Sequence, residues 1–340
     1  GTISNPNLTW ESTAQTDIGI DLGLFESRFT LTADYYKKVT SDLLFNVPVP
    51  KFSGFSTQLQ NIGKIENHGF EFTAGAKILT GKLNWTTNAN ISFNRNEILK
   101  LVENEAEGNA IYYGTAPLEG ASGLKTQILK EGEAVGTFYG YVYDGVLQEG
   151  ETPLTNGESA GGEKFKDITP DGILNDGDRT IIGSPHPDFI WGWNNQVSYR
   201  NFDVNIFIQG SQGGQMIDYT RMELGIMNGR SNCTKDVLDR WTTTNTDTDI
   251  PRANINRGHV FSDRWVEDAS YVRLKNVMIG YNFDKNLIHR VKLRSARIYV
   301  SAQNLFTITG YKGVDPEVAY RSSNMNIGLD FASYLYSKSV

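Results

Sequence analysis

The sequence contains no uninterrupted apolar run that is long enough to cross a membrane as a helix. Hydrophobic residues make up 39% of the 340 residues, and the mean hydropathy is −0.38. This absence argues against a helical membrane protein. It does not argue against a membrane barrel, because barrel strands carry apolar residues only at every second position.

Cysteine and positive charge are also scarce. The single cysteine, Cys233, cannot form an internal disulfide bond. The net charge is −7 and no Lys/Arg-rich run occurs, which argues against nucleic acid as a partner. No signal peptide is visible at the N-terminus, so we expect an exported protein that begins in this way to be a mature chain or a fragment.

Patterns of catalytic residues are missing as well. The four histidines, His68, His186, His259 and His289, are scattered, with no HExxH motif and no Cys/His pairing that would suggest zinc. GxSxG, P-loop and dinucleotide motifs are absent. We therefore predict that the chain is not an enzyme and requires no cofactor.

The clearest positive signal is an alternation with period two between residues 83 and 94. A strand of a soluble protein averages five or six residues, whereas a tilted barrel strand needs about 9 to 11 to cross a bilayer. One face carries Leu83, Trp85, Thr87, Ala89, Ile91 and Phe93, and the other carries Asn84, Thr86, Asn88, Asn90, Ser92 and Asn94.

The same alternation recurs along the chain, with short turns at one end of the strands and long excursions at the other. A single hairpin would also suit a soluble β-sandwich. Repetition favours an all-β fold that forms a large antiparallel transmembrane barrel with short periplasmic turns and long extracellular loops. Further alternating segments are 14–24, 29–35, 70–78, 191–199, 202–208, 276–283 and 296–303, the last two joined through Leu287 and Val291. The predicted excursions are 40–63, 100–187 and 211–265.

Polar residues on the alternating strands are expected to face the lumen, because a charged side chain that faces lipid is costly. They could line a transport route or only hydrogen-bond one another. The set is Asp17, Asp21, Asn84, Asn88, Asn90, Gln196, Arg297 and Gln303.

Aromatic residues cluster in the long excursions. Residues 138–143 read FYGYVY. Such rings can stack on sugars, although aromatic residues in strands also pack on their neighbours. The candidate ligand contacts are Tyr112, Tyr113, Tyr139, Tyr141, Trp241 and Trp265, together with Arg297 from the lumen set.

Residues 167–178 resemble a calcium loop of the form D-x-[DN]-x-[DN]-G-x5-E. Thr169 and Asp178 depart from that pattern, and no helices flank the segment, so an Asx-turn-rich surface loop is the alternative. The oxygen-ligand positions would be Asp167, Thr169, Asp171, Asn175 and Asp178, with the backbone carbonyl of Ile173 as a further ligand.

Seven stretches, in the expected order and nearly from end to end, resemble the C-terminal half of the SusC/RagA family of TonB-dependent outer-membrane transporters of Bacteroidetes. They are 5–11 (NPNLTWE), 34–36 (DYY) with 40–44 (TSDLL), 61–71 (NIGKIENHGFE), 170–178 (PDGILNDGD), 271–276 (YVRLKN) with 280–281, 299–306 (YVSAQNLF) and 311–317 (YKGVDPE).

The resemblance implies a plugged outer-membrane barrel of about 22 strands. It also implies import of oligosaccharides or peptides, with energy from TonB-ExbB-ExbD, through a mouth capped by a SusD-like surface lipoprotein. Residues 1–340 would then be a partial barrel that lacks the plug, the TonB-contact segment and the last strand. The alternatives are a passive porin and a secreted soluble carbohydrate-binding β-protein.

Overall fold

The computed structural model describes residues 2–49, 52, 54–55, 57–101, 110–118, 121, 123–155, 157–229, 231–284, 292–317, 325–331 and 339. The predicted connection through Leu287 and Val291 lies outside the described residues.

Eighteen strands and one short α-helix are formed by these residues. The strands are β1 (Thr2–Ile3), β2 (Ser12–Leu24), β3 (Phe29–Pro48), β4 (Thr57–Leu79), β5 (Leu83–Lys100), β6 (Ala110–Thr115), β7 (Lys125–Lys130), β8 (Phe138–Gly140), β9 (Tyr143–Val146), β10 (Glu163–Phe165), β11 (Thr180–Gly183), β12 (Phe189–Tyr199), β13 (Phe202–Gln212), β14 (Gln215–Asp218), β15 (Val266–Asp268), β16 (Tyr271–Asn282), β17 (Arg297–Thr309) and β18 (Leu329–Asp330). The helix α1 spans Tyr219–Gly225.

The long strands build one sheet in the order β17-β16-β13-β12-β5-β4-β3-β2, and neighbouring long strands are antiparallel. Short turns at 25–28, 80–82 and 200–201 connect strands at one rim. The long connections leave from the opposite rim. Ser339 exchanges two backbone hydrogen bonds with Gln303, so the chain returns to the outer edge of β17.

Strand register collects the apolar side chains on one face. Ile18, Ile298 and Ile308 on this face are 65%, 60% and 65% exposed. A continuous exposed apolar face across eight strands would be costly in water, and it is the face that a barrel presents to lipid. One line across the sheet runs Leu22, Leu31, Ala74, Ala89, Trp193, Ile208, Leu274 and Phe306.

The height of the apolar face fits a bilayer. On β4 it extends from Phe70 to Leu79, roughly 30 Å along the strand, which a tilt of about 40° reduces to about 23 Å. Aromatic side chains border it at both ends, as in membrane barrels. At the short-turn end the Phe202 and Tyr281 rings are 4.9 Å apart, and at the other end the Tyr35 and Phe70 rings are 5.1 Å apart.

The predicted lumen residues share the opposite, polar face of the sheet. They form hydrogen bonds with polar neighbours on the same face. Thr32 donates to Asp21 at 2.6 Å, and Arg297 forms an ion pair with Asp203. The period-two prediction is therefore confirmed for both faces.

Two local predictions were wrong. Residues 40–63 are not a long excursion, because β3 and β4 continue into it and leave only 49–56 as a connection. Register shifts near Asp42, whose φ is 59°, absorb the break in alternation, and Pro48 lies at a strand end, where a missing N–H group is tolerated. A second register shift brings Leu79, rather than Ile78, opposite Trp85.

The long connections fold into a loop layer, defined here as the described parts of 110–188, 213–268 and 311–331. It contains three small sheets, in the orders β11-β8-β7-β6, β10-β9 and β15-β14-β18. Its core is fully buried around Phe138, Ile217 and Tyr219. A 3-10 turn, Lys235–Asp239, also lies in this layer.

Among the residues that the structure describes, no helix is long and apolar enough to cross a membrane.

Adjacent positions on β4 test which face meets lipid. Ala74→Arg should destabilise the membrane-inserted barrel by about 2 to 4 kcal/mol, because Ala74 lies near the middle of the apolar face. Thr73→Arg, one residue away on the polar face, should have little effect. Urea unfolding of the protein refolded into lipid vesicles measures the difference, and equal losses in both variants would contradict the assignment of the faces.

Candidate functional site

Four half-buried tyrosines and the buried Phe165 of the loop layer form two neighbouring groups of rings, which together we call the aromatic strip. The Tyr112 and Tyr139 rings lie 5.3 Å apart, and Phe165 contacts Tyr141 at 5.8 Å and Tyr143 at 6.0 Å. Tyr139, Tyr141 and Tyr143 alternate along the chain, which brings their side chains to one side. The strip thus joins three of the predicted candidates with two residues that were not predicted.

An arginine lies at each end of the strip. Arg179 lies 4.8 Å from the Tyr139 ring and donates to the carbonyls of Lys125 at 2.5 Å and of Tyr139 at 3.1 Å. Arg264 lies 5.0 Å from the Tyr143 ring and 4.7 Å from the Trp265 ring. Such cation–π contacts fix the guanidinium groups over the ring faces.

Burial raises the pKa of Tyr139, Tyr141 and Tyr143 above the usual value of a tyrosine. Their hydroxyl groups therefore stay protonated and can act as hydrogen-bond donors at any physiological pH. The Tyr143 hydroxyl donates to the carbonyl of Asp249 at 2.7 Å. The strip combines apolar ring surface with polar edges.

A cavity of about 300 Å³ adjoins the Arg264 end of the strip. Its walls carry both signs of charge together with aromatic surface, a composition suited to a ligand with many hydrogen-bonding groups. The charged and aromatic lining residues are Tyr143, Arg221, Asp236, Asp249, Arg264, Trp265 and Lys312.

A second cavity, of about 390 Å³, lies beside Phe165. Lys164 on its wall forms an ion pair with Glu151 at 2.6 Å. Asp144 and Asp167 also line this cavity. Since Tyr143 lines the first cavity and Phe165 the second, their ring contact separates the two.

The remaining candidates lie away from the strip. Tyr113 accepts a hydrogen bond from the N–H of Gly136 at 2.9 Å and packs on a buried cluster near Ile98. Trp241 is 7% exposed and donates to Gln148 at 3.1 Å. Arg297 belongs to the short-turn end of the sheet. Of these three, none joins the strip, whereas Trp265 lines the first cavity.

In the segment 167–178 the predicted calcium ligands accept hydrogen bonds from the backbone. Asp178 is fully buried, and its carboxylate accepts from the N–H groups of Ile168, Thr169 and Asn175 at 2.9 to 3.0 Å. The N–H groups of Thr169 and Asn175 hold the pKa of Asp178 below its usual value.

Two further ligand candidates in this segment also form hydrogen bonds with the backbone, Asp171 as an acceptor and Thr169 as a donor. Asp171 accepts from the N–H of Ile173 at 3.0 Å, and Thr169 donates to the carbonyl of Gly177 at 2.7 Å. In the described part of the chain, no group of three or more His, Cys, Asp or Glu side chains is arranged to hold a metal ion. Calcium binding at this loop stays a prediction.

A buried pair of carboxyl groups lies near the first cavity. Asp218 and Asp330 are partners in the parallel pairing of β14 with β18, and they are 1% and 3% exposed. Asp218 accepts from the N–H of Arg221 at 2.8 Å as the N-cap of α1, and Asp330 accepts from the Tyr311 hydroxyl at 2.8 Å. Burial, with a contribution from Asp330, raises the pKa of Asp218.

This raised pKa predicts a stability that falls with increasing pH. The folded state holds the Asp218 proton more tightly than the unfolded state, so the contribution is complete below the unfolded pKa and is lost as pH rises through the folded pKa. Asp218→Asn keeps the oxygen that caps α1 and removes the charge, so it should raise the thermal midpoint at pH 8 by a few degrees and flatten the pH dependence. Asp247→Asn, an exposed site, should do neither. A lower midpoint for Asp218→Asn at pH 8 would refute the buried-charge account.

Sequence reasoning missed Tyr143, Phe165, Arg179 and Arg264. Tyr143 ends the alternating run 138–143 and could have been included by period alone. The other three carry no local signal, because their partners are distant in sequence: Arg179 bonds Lys125, and Arg264 forms an ion pair with Glu163 at 3.3 Å.

A sheet of long antiparallel strands with one apolar and one polar face is typical of the wall of an outer-membrane β-barrel, and similarity to known proteins makes the class specific. Residues 1–305 match the family model described as TonB dependent receptor-like, beta-barrel. TonB-dependent receptor P3 of Formosa agariphila is 45% identical over 342 aligned positions, and the alignment covers 97% of this chain and 33% of that protein. TonB-dependent receptor SusC of Bacteroides thetaiotaomicron is 32% identical over 319 aligned positions, which cover 92% of this chain and 30% of that protein.

A solved structure titled the RagAB peptide transporter superposes with a TM-score of 0.79 at 27% identity, covering 96% of this chain and 34% of that one. The chain belongs to the TonB-dependent receptor β-barrel family and resides in the outer membrane. It spans about a third of the length of the curated relatives that it matches. The family consists of transporters and receptors rather than enzymes.

Proposed function

We propose that the transporter to which this chain contributes imports oligosaccharides across the outer membrane, and that the aromatic strip and its two cavities contact the substrate at the mouth. The observation that carries this proposal is the group of five ring side chains whose Tyr143–Phe165 end borders two charged cavities. Sugar rings offer apolar faces for stacking and hydroxyl groups for carboxylates and guanidinium groups.

Peptides are the second candidate substrate, because the structure titled the RagAB peptide transporter has the same fold. The mixed charges of the first cavity also suit the termini of a peptide. For the partners we propose a SusD-like surface lipoprotein over the mouth and TonB-ExbB-ExbD as the source of energy. Family membership supports both.

Energy coupling separates this function from a passive porin. Cells that carry the intact transporter should take up a fluorescently labelled oligosaccharide, and collapse of the proton gradient by a protonophore should abolish that uptake. Uptake that continues at the same rate after the collapse would favour a porin. A labelled oligopeptide, tested in parallel, distinguishes the two substrate classes.

The role of the strip is tested by Tyr141→Ser. Loss of one ring contact, worth about 1 kcal/mol, should weaken substrate binding roughly fivefold. Ile255→Ser is the matched control, since it removes an exposed apolar side chain from the loop layer but lies outside the strip. Isothermal titration with purified transporter measures both variants, and equal affinity of Tyr141→Ser and the unaltered protein would remove the strip from the substrate path.

A further inference from the structure

The two cavities of the loop layer are separated by a partition that has two parts. One part is the ring contact of Tyr143 with Phe165 at 6.0 Å. The other part is the ion pair of Arg264 with Glu163 at 3.3 Å. Since Arg264 lines the first cavity and Glu163 lines the second, this ion pair reaches from one cavity to the other.

Arg264 presents hydrogen-bond donors to the first cavity in an oriented plane. Its guanidinium group contacts the Tyr143 ring at 5.0 Å and the Trp265 ring at 4.7 Å, and these contacts orient the group. Its Nη1 atom donates to Glu163. In the described part of the chain, no acceptor is bonded to its remaining N–H groups. A planar guanidinium group with donors along its edge matches the two oxygens of a carboxylate.

A second arginine, Arg257, is buried close to this ion pair. It is only 7% exposed, and its Nη1 atom donates to the carbonyl of Ile226 at the long distance of 3.4 Å. Its Nε and Nη2 atoms have no hydrogen-bond partner among the residues that the structure describes. Buried N–H groups of a charged side chain are costly when they are unpaired, so an acceptor that reached them would be favoured.

Glu163 is the carboxylate that attracts Arg257 most strongly. The attraction of Arg257 to Glu163 exceeds its attraction to Glu158. Burial raises the pKa of Glu163, and the positive charges of Arg257 and Arg264 act in the opposite direction. Glu163 therefore lies within the field of two arginines but is hydrogen-bonded to only one of them.

An excess of positive charge does not attract anions here, because the first cavity carries two exposed carboxylates, Asp236 and Asp249, beside its cations. The signal is instead a shortage of acceptors. Arg257 and Arg264 have between them one described carboxylate in ion-pair contact, Glu163. One further carboxylate would give each guanidinium group an anionic partner.

We propose that Arg264 binds a carboxylate of the substrate in the first cavity, and that Glu163, released by Arg264, then pairs with Arg257. Two ion pairs replace one in this exchange, and the buried N–H groups of Arg257 gain an acceptor. This assignment rests on the proposed import function and names the chemical class of its substrate. The carboxylate belongs either to an acidic sugar or to the C-terminus of a peptide.

Isothermal titration of the intact, purified transporter with matched pairs of probes tests the carboxylate site. Tetragalacturonate is compared with its methyl ester, and a tetrapeptide with a free C-terminus is compared with its C-terminal amide. In one pair the acid should bind about tenfold more tightly than the neutral form, because a charge-assisted hydrogen bond is gained. The pair that shows this preference identifies the source of the carboxylate. Arg264→Gln should reduce the preference to less than about twofold.

The exchange of partners has a signature of its own. Glu163→Gln removes the carboxylate that competes with the ligand, so it should tighten binding of the acid about threefold. Arg257→Met removes the residue that receives Glu163, so it should weaken binding of the acid about threefold. In the double variant Glu163→Gln/Arg257→Met this loss should disappear, because no released carboxylate then needs a partner. A purely structural role of Arg257 would give the same loss in both backgrounds.

The matched control is Arg240→Gln. Arg240 is a half-buried arginine of the same layer, and its Nη1 atom donates to the carbonyl of Val237 at 3.4 Å. It is not among the residues that line either cavity, so the preference for the acid should persist in this variant.

Three results would overturn the carboxylate site or the exchange. Equal binding of acid and neutral form in both pairs would remove the site, as would the absence of binding by either acid at millimolar concentration. Unchanged affinity of Glu163→Gln for the acid would remove the exchange, even if the buried Arg257 variant did not fold. None of these results bears on energy-dependent uptake, which tests the import function separately.

Discussion

Hydrocarbon offers no water to a backbone N–H or C=O group, so each such group of a membrane-spanning strand must bond to a neighbouring strand. In this chain the long strands pair without interruption from β2 to β17, and most of their length is in continuous register. Register then determines which face of the wall each side chain occupies. Because side chains alternate, one register places most apolar residues toward lipid and most polar residues toward the lumen, and a shift by one residue would reverse both faces.

Most irregularities of the sheet lie where this constraint relaxes. The register shifts near Asp42 and Lys64 are toward the long-loop rim, and the shift before Leu79 is at the short turns. The shift near Lys275 lies within the apolar face, since Leu274 and Phe306 continue that face on its long-loop side. Above the membrane, water and loop residues can satisfy a displaced backbone group, so a bulge costs little there. The same relaxation lets β3 and β4 extend beyond the belt, which is why an expected loop proved to be strand.

The wall could be predicted from the sequence because its signal is local: period two over ten or more residues encodes strand, face and length together. The loop layer could not be predicted in the same way. The Tyr219 hydroxyl lies 2.5 Å from that of Thr126, and Arg264 pairs with Glu163, so its contacts join separate excursions and leave no periodic trace. Sequence therefore found Tyr112, Tyr139 and Tyr141 of the strip, and it missed Tyr143 together with the arginines and Phe165, whose partners are distant in sequence.

Ion pairs connect the barrel wall to the loop layer. Arg273 on β16 is 1% exposed and contacts Asp315 at 2.6 Å and Glu317 at 2.5 Å. Burying such a network costs desolvation, and its benefit is a unique arrangement rather than stability. The segment held in this way also supplies Tyr311, which donates to Asp330 on β18. Strand β18 pairs with β14, and β14 leads into helix α1, which carries Arg221 beside the first cavity. A continuous series of polar contacts and chain segments therefore connects the candidate ligand site to the rim of the barrel.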